Sequence, residues 1–178
     1  MKGTIFCEFL NMVEENYDYN LVDTIISESK LSNDGAYTSV GTYNYEELVL
    51  LVQRLSIHTK VSIPNLLHDF GIYLFNVFLK KYPEMFINIT DGFSFLQLIN
   101  DKIHVEVRKL YPDAELPVIE TELVENTLKM KYISSRKMGD LAKGLITGCM
   151  GYFDEKIELN EELTKQDGSE IVFTIKKL

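Results

Sequence analysis

Cysteine and histidine are scarce in this sequence, which has two cysteines and three histidines among 178 residues. The cysteines, Cys7 and Cys149, stand far apart and lack the short spacing that is typical of metal ligands. Cysteine usage of this kind favours a reducing, cytoplasmic setting over a secreted one.

Basic residues are also few, with 18 Lys and Arg against 27 Asp and Glu and a net charge of -9. Affinity for a nucleic-acid backbone depends on clustered Lys and Arg, so this balance excludes nucleic acid as a partner. Apolar runs are short, and none reaches the roughly 18 residues that a membrane span needs. Glu8 and Asn11 interrupt the apolar start that would otherwise resemble a signal peptide. We therefore expect no membrane association.

The overall composition is typical of a globular protein, with 46% hydrophobic and 25% charged residues. A chain of this length buries a sizeable core, so we treat residues 1–178 as one domain. Apolar residues recur at helical spacing in the N-terminal part and alternate with polar residues near the C terminus. This order of elements predicts an α+β fold with a mainly antiparallel sheet.

Helical spacing of apolar residues predicts five helices before the first strand. They cover residues 3–17, a short stretch capped by Asn20, 45–58, 64–82 and 92–110, and a further short helix over 83–89 is weakly indicated. Pro64 suits a first helical turn, and Pro112 and Pro117 end the last of these helices.

Two hairpins follow, separated by one helix. The strands are predicted over residues 118–124, 127–134, 156–163 and 170–176, with turns at Glu125-Asn126 and Gln166-Asp167-Gly168. The helix between the hairpins is predicted over 136–152. It contains three glycines that weaken it and indicate close backbone packing, Gly144, Gly148 and Gly151.

Three polar residues alternate at the end of the first hairpin: Tyr132, Ser134 and Arg136. In an extended segment these positions share one face, which would present a phenol, a hydroxyl and a guanidinium. Such a set donates hydrogen bonds to carboxylates, and Arg136 alone can bind one in bidentate fashion. The alternative is a solvated strand end without a ligand.

His104 lies within the helix predicted over residues 92–110, where helical spacing places Val107 and Arg108 beside it. A neutral imidazole on a partly apolar face can ligate a haem iron. From the residues alone, an exposed or hydrogen-bonded helix histidine is the more common situation. His58 ends a helix and His68 falls near the start of the next one, and both are typical of surface positions.

Taken together, these residues resemble the H-NOX family of haem nitric oxide/oxygen-binding domains, which includes the haem domain of soluble guanylate cyclase. Tyr132-x-Ser134-x-Arg136 is similar to the clamp that holds the haem propionates in that family. His104 stands before the proline-bearing loop and the hairpin, as the proximal histidine does there. Met1-Lys2-Gly3 followed by an apolar helix is also how these domains begin, so the resemblance covers nearly the whole chain.

The resemblance implies a haem b cofactor with His104 as its iron ligand. It also implies two parts of the chain, a helical subdomain over about 1–62 and a haem-bearing subdomain over about 63–178. The haem would be buried between the two. Pro117 matches a proline that presses on the macrocycle. The residues that would line the pocket are Ile5, Phe9, Leu74, Phe78 and Leu141.

Two departures refine this expectation. Oxygen-binding members carry a distal tyrosine where this chain has Leu141, so the resemblance implies binding of NO and CO but no stable O2 complex. Some members hold a structural zinc near the C terminus. Because only Cys149 and no histidine follows His104, we expect no zinc here.

The resemblance further implies a sensor that is not an enzyme. NO binding would weaken the bond between iron and His104, and the N-terminal helices would then shift in a way that a separate histidine kinase or cyclic-di-GMP enzyme detects. Two alternatives stay open at this point. One is a haem enzyme of the peroxidase type, and the other is a haem-free interaction domain that binds an apolar ligand.

Overall fold

The computed structural model describes all residues, 1–178, and the fold is α+β as predicted. The helices are α1 (Gly3–Asn16), α2 (Tyr19–Ser29), α3 (Tyr45–Thr59), α4 (Ile63–Lys81), α5 (Gly92–Gln97), α6 (His104–Leu110) and α7 (Gly139–Tyr152). The strands are β1 (Val118–Val124), β2 (Thr127–Ile133), β3 (Ile157–Leu163) and β4 (Glu170–Lys177). A 3₁₀ turn occupies Pro83–Phe86, and a π-helical segment, Ile99–Ile103, precedes α6. None of the helices has the length and apolar character that crossing a bilayer would require.

The backbone divides into two compact units, Met1–Phe70 and Gly71–Leu178. The subdomain boundary that the sequence suggested near residue 62 stays a prediction. In the first unit, α2 packs against both α1 and α3, and the core is formed by side chains such as Phe6, Leu51 and Leu55, which have no exposed surface.

The helix α2 begins differently from the prediction. Asp18, not Asn20, caps it, since the Asp18 carboxylate accepts a hydrogen bond from the backbone N–H of Leu21 at 2.8 Å. Both residue types favour this position, and only the backbone conformation decides between them. Asn20 instead lies within the first turn, where its carbonyl accepts a hydrogen bond from the Thr24 hydroxyl.

The second unit contains a four-stranded antiparallel sheet in the order β1-β2-β4-β3. One face of its central strands is buried, and Leu128, Phe173 and Ile175 have no exposed surface there. The alternation that predicted these strands reflects this half-burial. The two hairpins and the helix between them are confirmed, although α7 starts at Gly139 and not at residue 136.

Helices α4 and α7 approach each other closely in the second unit. A side chain at Gly71 would overlap the backbone at Leu141, and a Cβ at Gly148 would lie 3.0 Å from Cβ of Phe75. Close packing at Gly148 is thus confirmed, whereas for Gly151 it is wrong because nothing lies within 4 Å of that position.

A charged cluster connects the start of α5 to the end of β4. The Lys177 ammonium lies 2.6 Å from a Glu155 carboxylate oxygen, 3.1 Å from one of Asp91, and 4.4 Å from the ring centroid of Phe93. Glu155 also accepts a hydrogen bond from the backbone N–H of Gly92 at 3.1 Å. The cluster therefore fixes the first turn of α5 against the sheet.

Candidate functional site

His104 is the first residue of α6 and follows the π-helical segment directly. Its backbone N–H donates to the carbonyl of Ile99, and the N–H of Ile103 donates to that of Leu98 at 3.1 Å. Both bonds span five residues, so the uninterrupted helix predicted over 92–110 is wrong. A π-helical turn accommodates an extra residue and often occurs at functional sites.

The His104 side chain is buried, with 8% of the residue exposed. Its Nδ1 is enclosed and has no hydrogen-bond partner, which is rare for a buried polar atom in a folded protein. Burial, together with the positive charge of Arg108, lowers the pKa of His104 to about 4. The imidazole is therefore neutral near pH 7, and the neutral form is the one that ligates a metal. A buried, neutral, incompletely bonded histidine fits the chemistry of an axial haem ligand.

The other two histidines have different surroundings. His58 Nε2 lies 3.0 Å from a Glu28 carboxylate oxygen, and His68 Nδ1 lies 3.6 Å from one of Asp69. Their side chains are 33% and 30% exposed, respectively. Both are therefore surface histidines that interact with carboxylates.

Tyr132 and Ser134 occupy the end of β2. Tyr132 is 5% exposed and lies on the buried face of the sheet between Ile119 of β1 and Ile171 of β4. Ser134 follows the strand, and its backbone N–H donates to the carbonyl of Ser169 at 2.9 Å.

Arg136 lies in a turn and not in the extended segment that we predicted. The chain reverses at Ser134, whose carbonyl accepts from the backbone N–H of Lys137 at 3.3 Å, and Lys137 has a φ of 56°. The Ser134 hydroxyl in turn accepts from the backbone N–H of Arg136 at 3.2 Å. The turn nevertheless keeps the three polar residues together.

The pKa of Tyr132 reflects its burial and the polar groups that follow it in the chain. Burial raises the pKa of Tyr132, while the Ser134 hydroxyl, the backbone of Met138 and the Arg136 charge act in the opposite direction. The end of β2 and the turn after it thus carry a protonated phenol, a hydroxyl and a guanidinium, three groups that can donate hydrogen bonds to carboxylates.

Sequence reasoning missed the residue that contacts Arg136 in this structure. The guanidinium donates from Nη1 to the backbone carbonyl of Glu115 at 2.8 Å and from Nη2 to its carboxylate at 3.2 Å. Glu115 stands two positions before Pro117, so Arg136 connects the clamp turn to the proline-bearing loop. No periodicity or motif marks an acidic loop residue as a partner of an arginine 21 positions away.

The predicted pocket residues are apolar and lie on three helices. In the second unit, Leu74 on α4 is 2% exposed, Leu141 on α7 is 9% exposed, and Phe78 on α4 is partly buried. In the first unit, Phe9 on α1 is fully buried against the ring of Phe70. Ile5 on α1 is partly buried. None of the predicted pocket side chains has a hydrogen-bond donor.

A shallow groove of about 550 Å³ lies on the first unit, where the start of α2 meets the end of α3. It is lined by Tyr17, Asp18, Asn20, Leu21, Thr24, His58 and Thr59. No predicted site residue contributes to it.

The chain matches the family described as haem-NO-binding, HNOB, over residues 2–161. No significant match is found among curated proteins.

Three solved structures show how far the likeness extends. The Fe(II) unliganded H-NOX protein from K. algicida is 42% identical, with coverage of 100% of this chain and 97% of that one and a TM-score of 0.94. The H-NOX protein from S. oneidensis in the Fe(II)NO ligation state is 27% identical, with coverage of 100% and 99% and a TM-score of 0.92. The IWP-051-bound H-NOX from Shewanella woodyi in the Fe(II)CO ligation state is 35% identical, with coverage of 100% and 95% and a TM-score of 0.85.

Proposed function

The chain belongs to the haem-NO-binding (H-NOX) family, and we propose that it is a haem-based gas sensor in which His104 is the protein ligand to the iron. The observation that carries the assignment is the state of His104. It is buried, its Nδ1 lacks a hydrogen-bond partner, and its pKa is lowered to about 4. Desolvation keeps the imidazole neutral, so no proton must leave before it can ligate a metal.

We propose that Tyr132, Ser134 and Arg136 bind the two propionate carboxylates of haem b. Their placement at the end of β2 and in the turn after it supports this role, because this part of the chain offers one fixed positive charge and two neutral donors. The Arg136 side chain is 16% exposed, so its charge acts in a medium that screens it less than bulk water. Arg136 would orient the carboxylates and neutralise part of their charge.

When bound, haem would supply a ferrous iron that takes up NO or CO, the ligands seen in the related H-NOX structures. The residues that we assign to the distal side, Ile5, Phe9, Leu74, Phe78 and Leu141, would exclude water and offer no hydrogen bond to a bound gas. Such surroundings suit NO and CO, which depend little on a donor.

We propose that the chain is a sensor and not a catalyst. A peroxidase requires an acid–base group beside the bound peroxide, and the apolar distal set provides none. Pro117, half-buried and two residues from the contact of Arg136 with Glu115, would press on the macrocycle as in the family.

Signalling to a separate partner protein completes the proposal. A histidine kinase or a cyclic-di-GMP enzyme is the expected class, and this part rests on likeness to the family alone. A cytoplasmic location is supported by the two cysteines, neither of which forms a disulfide.

The direct test is the absorption spectrum of the purified protein before and after reduction and after addition of NO or CO. We expect a strong Soret band that shifts with each gas. A protein that shows no Soret band even after incubation with excess haem would instead support the haem-free interaction domain. Sustained turnover of peroxide would instead support a haem enzyme of the peroxidase type.

A further inference from the structure

The Arg136 guanidinium is already bound to a carboxylate of its own chain. Its Nη2 lies 3.2 Å from Oε2 of Glu115, and its Nη1 lies 2.8 Å from the carbonyl oxygen of the same residue. No other carboxylate forms a salt bridge with this guanidinium. The residue that we assign to binding propionates therefore has an internal carboxylate partner.

The two partners differ in how firmly they are held. The Arg136 side chain is only 16% exposed, whereas that of Glu115 is 81% exposed. An exposed carboxylate loses little hydration on forming such a pair and little on leaving it, so the pair is weak and exchangeable. A largely buried guanidinium without any anionic partner would be much less favourable.

We propose that Glu115 is an internal stand-in for a haem carboxylate, bound to Arg136 before the cofactor enters and exchanged for a propionate when it does. This inference rests on the proposed haem function. The charge on Arg136 stays paired with one carboxylate before and after the exchange, and the exposed Glu115 carboxylate becomes fully hydrated. The backbone contact from Nη1 to the Glu115 carbonyl does not involve the carboxylate and keeps the guanidinium in place.

The exchange gives Glu115 a specific effect on cofactor loading. Because its carboxylate competes with the propionate for Arg136, removing the carboxylate should favour haem. The competitor is a partly exposed ion pair, so we expect Glu115→Gln to raise the haem affinity about two- to fivefold. A residue that merely oriented Arg136 would have the opposite effect.

The experiment measures haem uptake by haem-free protein and the subsequent loss of haem to a scavenger protein, for wild type and Glu115→Gln. Glu122→Gln is the matched control, because it removes one exposed carboxylate from β1, on a strand that does not contact Arg136. We expect faster uptake or slower loss for Glu115→Gln and wild-type behaviour for Glu122→Gln. Unchanged or weaker binding by Glu115→Gln, or an equal gain in both variants, would overturn the exchange.

A second arm uses the dimethyl ester of the same iron porphyrin, which lacks the carboxylates. Wild type and Glu115→Gln should bind the ester equally, since nothing then competes with Glu115 for Arg136. An advantage of Glu115→Gln that persists with the ester would contradict the exchange. Wild-type protein that takes up neither porphyrin would overturn the proposed function itself, whereas normal uptake without a Glu115 effect overturns only this inference.

Discussion

Substitution of Arg136 by alanine should reduce haem retention more than loss of either other clamp group. The guanidinium supplies the only charged hydrogen bonds in the clamp, and a hydrogen bond to a charged group contributes about 1.5–3 kcal/mol. Tyr132 and Ser134 supply neutral hydrogen bonds of about 0.5–1.5 kcal/mol each. We therefore expect Arg136→Ala to weaken haem binding roughly ten- to a hundredfold, and Tyr132→Phe or Ser134→Ala roughly two- to tenfold.

Two structural details affect how these losses are read. Arg136 also donates to the backbone carbonyl of Glu115, so Arg136→Ala frees the loop before Pro117 as well as removing a charge. Ser134 accepts from the backbone of Arg136, so Ser134→Ala loosens the turn slightly. Arg136→Lys is the informative companion, because it keeps the charge and loses the bidentate geometry.

The assay follows the transfer of haem from each variant to an excess of a scavenger protein by absorbance. Circular dichroism of each haem-free variant controls for folding. Equal rates of haem loss for Arg136→Ala, Tyr132→Phe and Ser134→Ala would refute the reasoning that the charge dominates the clamp.

Three further predictions follow from other parts of the structure. Gly3→Ala should lower the free energy of unfolding by about 1–3 kcal/mol, because the added methyl group would overlap the backbone at Thr38. Gly151→Ala should be neutral or slightly stabilising, because nothing lies within 4 Å of that position. Thermal unfolding of the two variants beside wild type measures the difference. Hydrogen bonding from Ser94 and the Lys177 ammonium lower the pKa of Asp91 below its ordinary 3.8. The stabilisation by the ionised Asp91 carboxylate is present above pH 3.8 and is lost as the pH falls through the lowered pKa. The difference in unfolding free energy between wild type and Asp91→Asn should therefore disappear in acid. A difference that stays constant with pH would contradict the stabilising role of the Asp91 carboxylate. Reduced wild-type protein in air should oxidise without a stable O2 complex, whereas Leu141→Tyr should gain O2 affinity by tenfold or more, as visible spectra would show.

The fold was predictable because most of its elements have a strong local signal. The central strands β2 and β4 alternate buried with more accessible residues, and the observed registers pair all four strands over nearly their whole predicted lengths. The turn at Gln166-Asp167-Gly168 was predictable for the same reason, since Gly168 adopts a positive φ of 77°. Local chemistry and tertiary packing agree in these segments.

Two local features could not be predicted, because side-chain pattern does not report backbone hydrogen bonding. The residues of the π-helical segment continue the apolar helical period, so nothing in the sequence marks the shift before His104. The turn after β2 places Lys137 at a positive φ, a conformation for which lysine gives no signal. Alternation from Tyr132 to Arg136 thus predicted an extended backbone where the chain forms a turn, and the shared binding role of the three residues stays a prediction.

The contact between Arg136 and Glu115 lies beyond sequence reasoning for a different reason. It joins a loop to a turn through a single exposed carboxylate, and the two segments come together only in the folded chain. The burial of His104 is similar, because a helix histidine carries no sign of whether its Nδ1 will find a hydrogen bond. The contacts and the burial of both residues appear only in three dimensions.

The most direct test of the account is the spectrum of His104→Gly, with and without added imidazole, beside that of His68→Ala. We expect His104→Gly to load haem poorly and imidazole to restore the wild-type spectrum, because the exogenous ring replaces the missing ligand. His68→Ala should load haem normally, since His68 lies near the surface beside Asp69. Normal haem binding by His104→Gly without imidazole, together with loss of haem from His68→Ala, would contradict the assignment of His104 as the iron ligand.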